Sequence, residues 1–115
     1  MSYAPFDVIV VPFPYSDRLS EKRRPALVVS SPELETRQGW VWVAMITSAA
    51  NAHGFGDVAL LDLVSAGLPA ASSVRAGKIA TIEPGRVLRR TGSLADADRQ
   101  AVVRALWDCA GFRTP

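Results

Sequence analysis

The sequence predicts a small, mainly β protein, an antiparallel barrel with one C-terminal amphipathic helix packed on it. Three observations lead there. Short β-branched apolar runs, bounded by proline, glycine or charge, recur as far as Arg90; no segment before residue 93 is long enough for a crossover helix; and beyond Ser93 the apolar period changes to three and four residues. A chain of 115 residues, 49% apolar and 21% charged, has the composition of an ordinary folded protein and room for a single core, so residues 1–115 are expected to form one domain.

The first strand is expected at residues 7–13 (DVIVVPF), the second at 26–31 (ALVVSS), and the third at 40–47 (WVWVAMIT), with tryptophan at alternate positions. Residues 58–63, 75–83 and 86–90 carry a weaker strand signal. The last two are separated by Glu83-Pro84-Gly85, where glycine accepts the positive φ of a turn. Ser93 is the expected N-cap of the helix, with Asp96 three positions on and near the positive end of the helix dipole. Leu94, Val102, Val103, Leu106, Trp107 and Ala110 form its apolar stripe; Asp98, Arg99, Arg104 and Asp108 fall between them, and Gly111 ends it. Two long connections, residues 14–24 and 48–56, stand out because a hairpin would need neither length.

The net charge of +2 is modest, but its distribution is uneven. Arg18, Lys22, Arg23 and Arg24 stand against Glu21 alone; Arg75, Lys78, Arg86, Arg89 and Arg90 stand against Glu83 alone. These segments are either solvated faces or a groove for phosphate. The lone cysteine, Cys109, has no partner for a disulfide and is expected as a small core residue of a cytoplasmic protein. The apolar runs are too short to span a bilayer and the N-terminus lacks the pattern of an export signal, so no membrane partner is expected.

Several chemistries lack their residues. One histidine, one cysteine and scattered carboxylates do not make a metal site, and no glycine-rich turn between strand and helix is present to cradle a nucleotide cofactor, so neither metal nor cofactor is expected. His53 is the sole imidazole and has no adjacent nucleophile. What remains is chemistry in which the substrate carries its own nucleophile. The 2′-hydroxyl of RNA can attack the neighbouring phosphorus, and the protein then positions the backbone and stabilises the crowded phosphate. Arginine suits that task because its guanidinium stays charged and clamps two oxygens; a threonine hydroxyl can assist. Arg24, where the basic loop enters the second strand, and Thr47, at the end of the third, are placed for this.

The runs Pro12-Phe13-Pro14-Tyr15-Ser16-Asp17, Arg24-Pro25-Ala26-Leu27-Val28-Val29-Ser30, Met45-Ile46-Thr47-Ser48, Gly67-Leu68-Pro69 and Ser73-Val74-Arg75 resemble, in order and spacing, the landmarks of the PemK/MazF toxins of type II toxin-antitoxin systems. The resemblance extends from residue 7 to about residue 110. It implies an SH3-like barrel, a homodimer whose interface forms an RNA channel, metal-independent and sequence-selective cleavage of single-stranded RNA, and inhibition by a cognate antitoxin. Carried onto this chain, it makes Arg24 and Thr47 catalytic. Tyr15, Glu21, Lys22, Arg23, Ser48, Arg75 and Lys78 are the expected RNA contacts, and Glu21 and His53 are the candidates for a general base. The first long loop departs from the family pattern in having no glycine beside its acidic residue, and Ala49 and Ala50 follow Thr47-Ser48 where a polar residue is usual, so base preference does not carry over. The alternatives on the same fold are a non-catalytic module, as in CcdB, which traps a topoisomerase, or a plain RNA-binding barrel.

Overall fold

A computed structural model of the chain describes residues 2–13 and 22–112. Six strands, β1 (Asp7–Phe13), β2 (Lys22–Val28), β3 (Val41–Ser48), β4 (Asp57–Ala59), β5 (Ser72–Ile82) and β6 (Arg89–Ser93), form one antiparallel sheet in the order β4-β5-β3-β2-β1-β6. Among the described residues three α-helices accompany it: α1 (Pro32–Gln38), α2 (Leu63–Ala66) and α3 (Asp96–Ala110).

The apolar runs of β1 to β3 are continuous because both faces of these strands are covered. On one face Val8, Leu27, Ala44, Ile46 and Val74 pack with Leu94 and Val102, at the start of and within the C-terminal segment. On the other, Ile9, Val11, Ala26, Val28, Val43 and Met45 form a second cluster, joined by Ala80, Ile82 and Val87. Each fully buried aliphatic side chain of this kind contributes about 1.5–3 kcal/mol. The sheet can cover itself because β5 bends. Its pairing with β3 shifts between Ala44, opposite Ile79, and Met45, opposite Arg75, which leaves residues 76–78 as a bulge.

The barrel expected from the sequence is not closed by hydrogen bonds, and β4 and β6 remain as edges among the described strands. The reason lies in residues 60–69. Instead of the strand expected over 58–63, the chain pairs for three residues and turns into α2, which packs on β6. Two glycines permit that approach: a Cβ at Gly92 would overlap the Ser65 carbonyl, and one at Gly67 would overlap the Thr91 carbonyl. Asp62 caps α2, accepting from the Ser65 amide at 3.0 Å and its hydroxyl at 2.7 Å. Those bonds, the amide's first, hold its carboxyl below the usual carboxylate range.

Several boundaries differ from expectation. Strand β2 begins at Lys22 instead of residue 26, because its charged end pairs with Phe13, Pro12 and Val11 of β1 through the backbone alone. β6 spans Arg89–Ser93 instead of 86–90, since Pro84–Arg86 forms a 3₁₀ turn. The helix starts after Ala95, not Ser93, which is taken into β6; Gly111 does end it, at φ 75°. Cys109 is only partly buried, its sulfur lying against Gly56. Asp98, expected on the solvent side of α3, is 1% exposed and accepts the backbone amides of Leu61 and Asp62, each at 2.9 Å. Its carboxylate therefore fastens α3 to the turn between β4 and α2. By contrast Val103 and Trp107, expected in the core, are 38% and 50% exposed, because the helix presents Val102 and Asp98 inward instead.

Candidate functional site

The site is set by where β2 leaves β3. The ladder between them runs Val28 to Val43, Leu27 to Ala44 and Ala26 to Met45, and stops beside Pro25, which has no N–H to extend it. Beyond that point the two strands are unpaired, and Arg24 and Thr47 each stand two residues past the last pair, one on each strand. Side chains alternate along a strand, so Arg24 shares a face with Ala26 and Val28, and Thr47 with Met45 and Val43. Both lie on the face of the second core cluster, beyond its end.

The next strands extend the row. Thr47 pairs with Ser73 of β5, and Met45 with Arg75, which in turn pairs with Asp57 of β4. Ser73 is buried, and Arg75 donates through Nε to Asp57 Oδ1 at 3.4 Å. The other Asp57 oxygen accepts the Gly54 amide at 2.8 Å, so this carboxylate, 5% exposed at its side chain, holds the root of Arg75 in place. Arg24 and Thr47 make no side-chain hydrogen bond or ion pair to another described residue. A guanidinium, a hydroxyl and a second, tethered guanidinium thus share one sheet face with nothing described to neutralise Arg24. Such an array is suited to an oxyanion with several equivalent oxygens.

Of the other residues singled out from the sequence, Lys22 shares the Arg24 face by alternation and is exposed, whereas Arg23, between them, points to the opposite face. Ser48, exposed at the end of β3, likewise alternates away from Thr47. Lys78 is exposed in the β5 bulge. His53 is exposed, with Nε2 2.9 Å from the Ala50 carbonyl. Tyr15 and Glu21 lie outside the described residues. Sequence reasoning did not single out Ser73 or Asp57. Ser73 stands in the Ser73-Val74-Arg75 landmark and could have been found by alternation with Arg75. Asp57, 18 residues from Arg75, has no local signal that ties it to the site.

The model of the family described as PemK-like, MazF-like toxin of type II toxin-antitoxin system matches residues 4–108. The chain belongs to this family. Among solved structures, this PemK/MazF-like chain is similar to an endoribonuclease from a mycobacterial species, solved in complex with its cognate antitoxin, at 18% identity and a TM-score of 0.80, over 99% of this chain and 100% of that one. It is similar to the Mycobacterium tuberculosis toxin MazF-mt6 at 22% identity and a TM-score of 0.74, over 94% and 99%. MazF from Deinococcus radiodurans aligns at 19% identity and a TM-score of 0.76, over 97% and 99%. At these identities the likeness is one of fold. A comparison with curated proteins gives no match. No helix among the described residues is long and apolar enough to cross a membrane.

Proposed function

We propose that this PemK/MazF-like toxin is a metal-independent endoribonuclease that cleaves single-stranded RNA by transesterification. What supports this reading is that Arg24 and Thr47 alternate onto the same sheet face, just past the end of the β2–β3 ladder, with no described counterion for the arginine. In this reading the substrate's 2′-oxygen attacks the adjacent phosphorus, its proton leaves to a base, and the bond to the 5′-oxygen breaks. Arg24, charged throughout, clamps the non-bridging oxygens as charge builds on them and donates a hydrogen bond to the leaving oxygen, which takes its proton from water; Thr47 donates to a phosphoryl oxygen. Arg75, braced by Asp57, holds a neighbouring phosphate. The products are a 2′,3′-cyclic phosphate and a 5′-hydroxyl. DNA, lacking the nucleophile, is not cut.

Chelator-treated protein is expected to cleave a panel of single-stranded RNAs and leave cyclic phosphate ends, scored by end-group analysis. Loss of cleavage on chelation, or 5′-phosphate products, would overturn the mechanism.

The active species is a homodimer, because one small sheet covers too little of an extended RNA to position it. The surface that supports this reading is a groove of about 500 Å³ between α3 and the outer face of β3 and β5, lined by Val29, Trp42, Ile79, Val103, Trp107 and Phe112. Five of these six, Val29 excepted, are exposed, and Trp107 meets Phe112 edge to face at 5.8 Å. Apolar surface concentrated in this way is characteristic of interfaces between copies of a chain. Sedimentation is expected to show a dimer for the parental protein and a monomer for Trp107→Glu; full cleavage by a parental monomer at low concentration would contradict the dimer. The cognate antitoxin, the second partner, is expected to block cleavage by covering the Arg24 face.

A further inference from the structure

On the opposite face from Arg24 lies a second basic feature. A groove of about 500 Å³ runs between Arg23 and Arg89, floored by Val10 and Pro25 and walled by Leu68 and Pro69. Register explains why the two arginines meet across it. Val10 pairs with Pro25 on one side and Arg89 on the other, so all three share a face, and Arg23 joins them by alternation from Pro25. Both arginines are exposed, and neither bonds to another described residue.

We infer that this groove is a subsite for a nucleotide flanking the cleavage point. An unstacked base or ribose lies on Val10, Pro25, Leu68 and Pro69 while its phosphates sit between Arg23 and Arg89. The inference rests on the reading of Arg24 as the centre of an RNA-cleaving site. Arg23 and Arg24 are consecutive and project from opposite faces of the same strand end. Among the described strands residues 22–25 pair with β1 alone, so a single strand whose scissile phosphate sits at Arg24 can round their unpaired edge and reach Arg23. The volume is in the range that small ligands occupy, and the pairing of apolar floor with guanidinium rim is the chemistry by which single strands are held. A duplex, its bases stacked and paired, could not lay one into the groove.

The test compares Arg23→Ala/Arg89→Ala with the parental protein on two single-stranded RNAs of one preferred sequence. One is just long enough to span the cleaved step; the other extends several nucleotides to both sides. On the long RNA, the double variant is expected to raise KM about 10- to 100-fold while kcat stays within about twofold, and to lower the salt dependence of binding by about 1.4 in logarithmic slope, the value for two phosphates on a single strand. On the short RNA it behaves as the parental protein does. Equal effects on both RNAs, an unchanged KM on the long one, or a fall in kcat would overturn the subsite. So would a variant that binds long RNA normally but has lost affinity for a glutamate-rich peptide, since the groove would then belong to an acidic polypeptide. A parental protein that cuts neither RNA rejects the nuclease reading itself, and the subsite with it. Parental cleavage combined with a silent double variant rejects the subsite alone.

Discussion

Replacing Arg24 with alanine is expected to lower the rate of RNA cleavage by roughly 10²- to 10³-fold, about 2.7–4 kcal/mol, the scale seen when a positioned donor to a developing oxyanion is removed. RNA affinity should fall far less. Binding to a polyanion is summed over several phosphate contacts, which on the proposed reading include Lys22, Arg23 and Arg75, and loss of one weakens it modestly. The split between rate and affinity separates an enzyme from a binding module on the same sheet, because a module would lose affinity with no rate to lose. Arg24→Lys should not restore the rate, since an ammonium group cannot clamp two oxygens in one plane. Thr47→Val, nearly isosteric, tests the hydroxyl without opening a cavity. Single-turnover cleavage and equilibrium binding on the same RNA decide the matter; parental rates in folded Arg24 and Thr47 variants would place the chemistry elsewhere.

The second large effect is on stability. Asp98→Ala is expected to cost about 3–4 kcal/mol, because the amides of Leu61 and Asp62 lose their acceptor and each unsatisfied donor costs about 1–3 kcal/mol. In a chain of 115 residues that lowers Tm by on the order of 10 °C or more. Asn at this position should recover only part of the loss, since its single carbonyl oxygen can serve one amide well while its NH₂ faces the other donor. Thermal unfolding followed by circular dichroism measures both variants. Cleavage by folded Asp98→Ala at low temperature should remain near the parental rate, because the carboxylate sits at the junction of α3 with the β4–α2 turn, away from the Arg24 row. A change in Tm below about 1 °C would show that the two amides find other acceptors.

Local chemistry determined the parts of the fold whose reasons are local. The runs at β1 and β3 were legible to within a residue because buried, β-branched segments bounded by proline, glycine or charge have few alternatives. The end of α3 was legible in Gly111 for the same reason, a left-handed cap that favours glycine. Even α1, which was not anticipated, had its signals in plain view: Ser31 accepts from the Leu34 amide, Pro32 opens the helix and Gly39 closes it. It escaped because it buries no residue and so leaves no apolar stripe to read. Arg24 and Thr47 stood out as candidates because their side-chain chemistry is specific and each borders or closes a run whose apolar pattern is readable.

Tertiary structure alone decided everything that depends on which strand lies beside which. Lys22 and Arg23 belong to β2 because β1 offers backbone partners, a fact no hydrophobic pattern encodes. The bulge of three residues in β5, the two glycines that admit α2 to β6, and the turn that recruits Asp98 are contacts between segments far apart in the chain. So is the division of neighbours Arg23 and Arg24 between two faces, which follows from a two-residue period anchored by buried partners on β1 and β3. A charged residue reads alike in sequence whether it faces water, a phosphate or two buried amides; its role is assigned by the backbone that the fold brings to it.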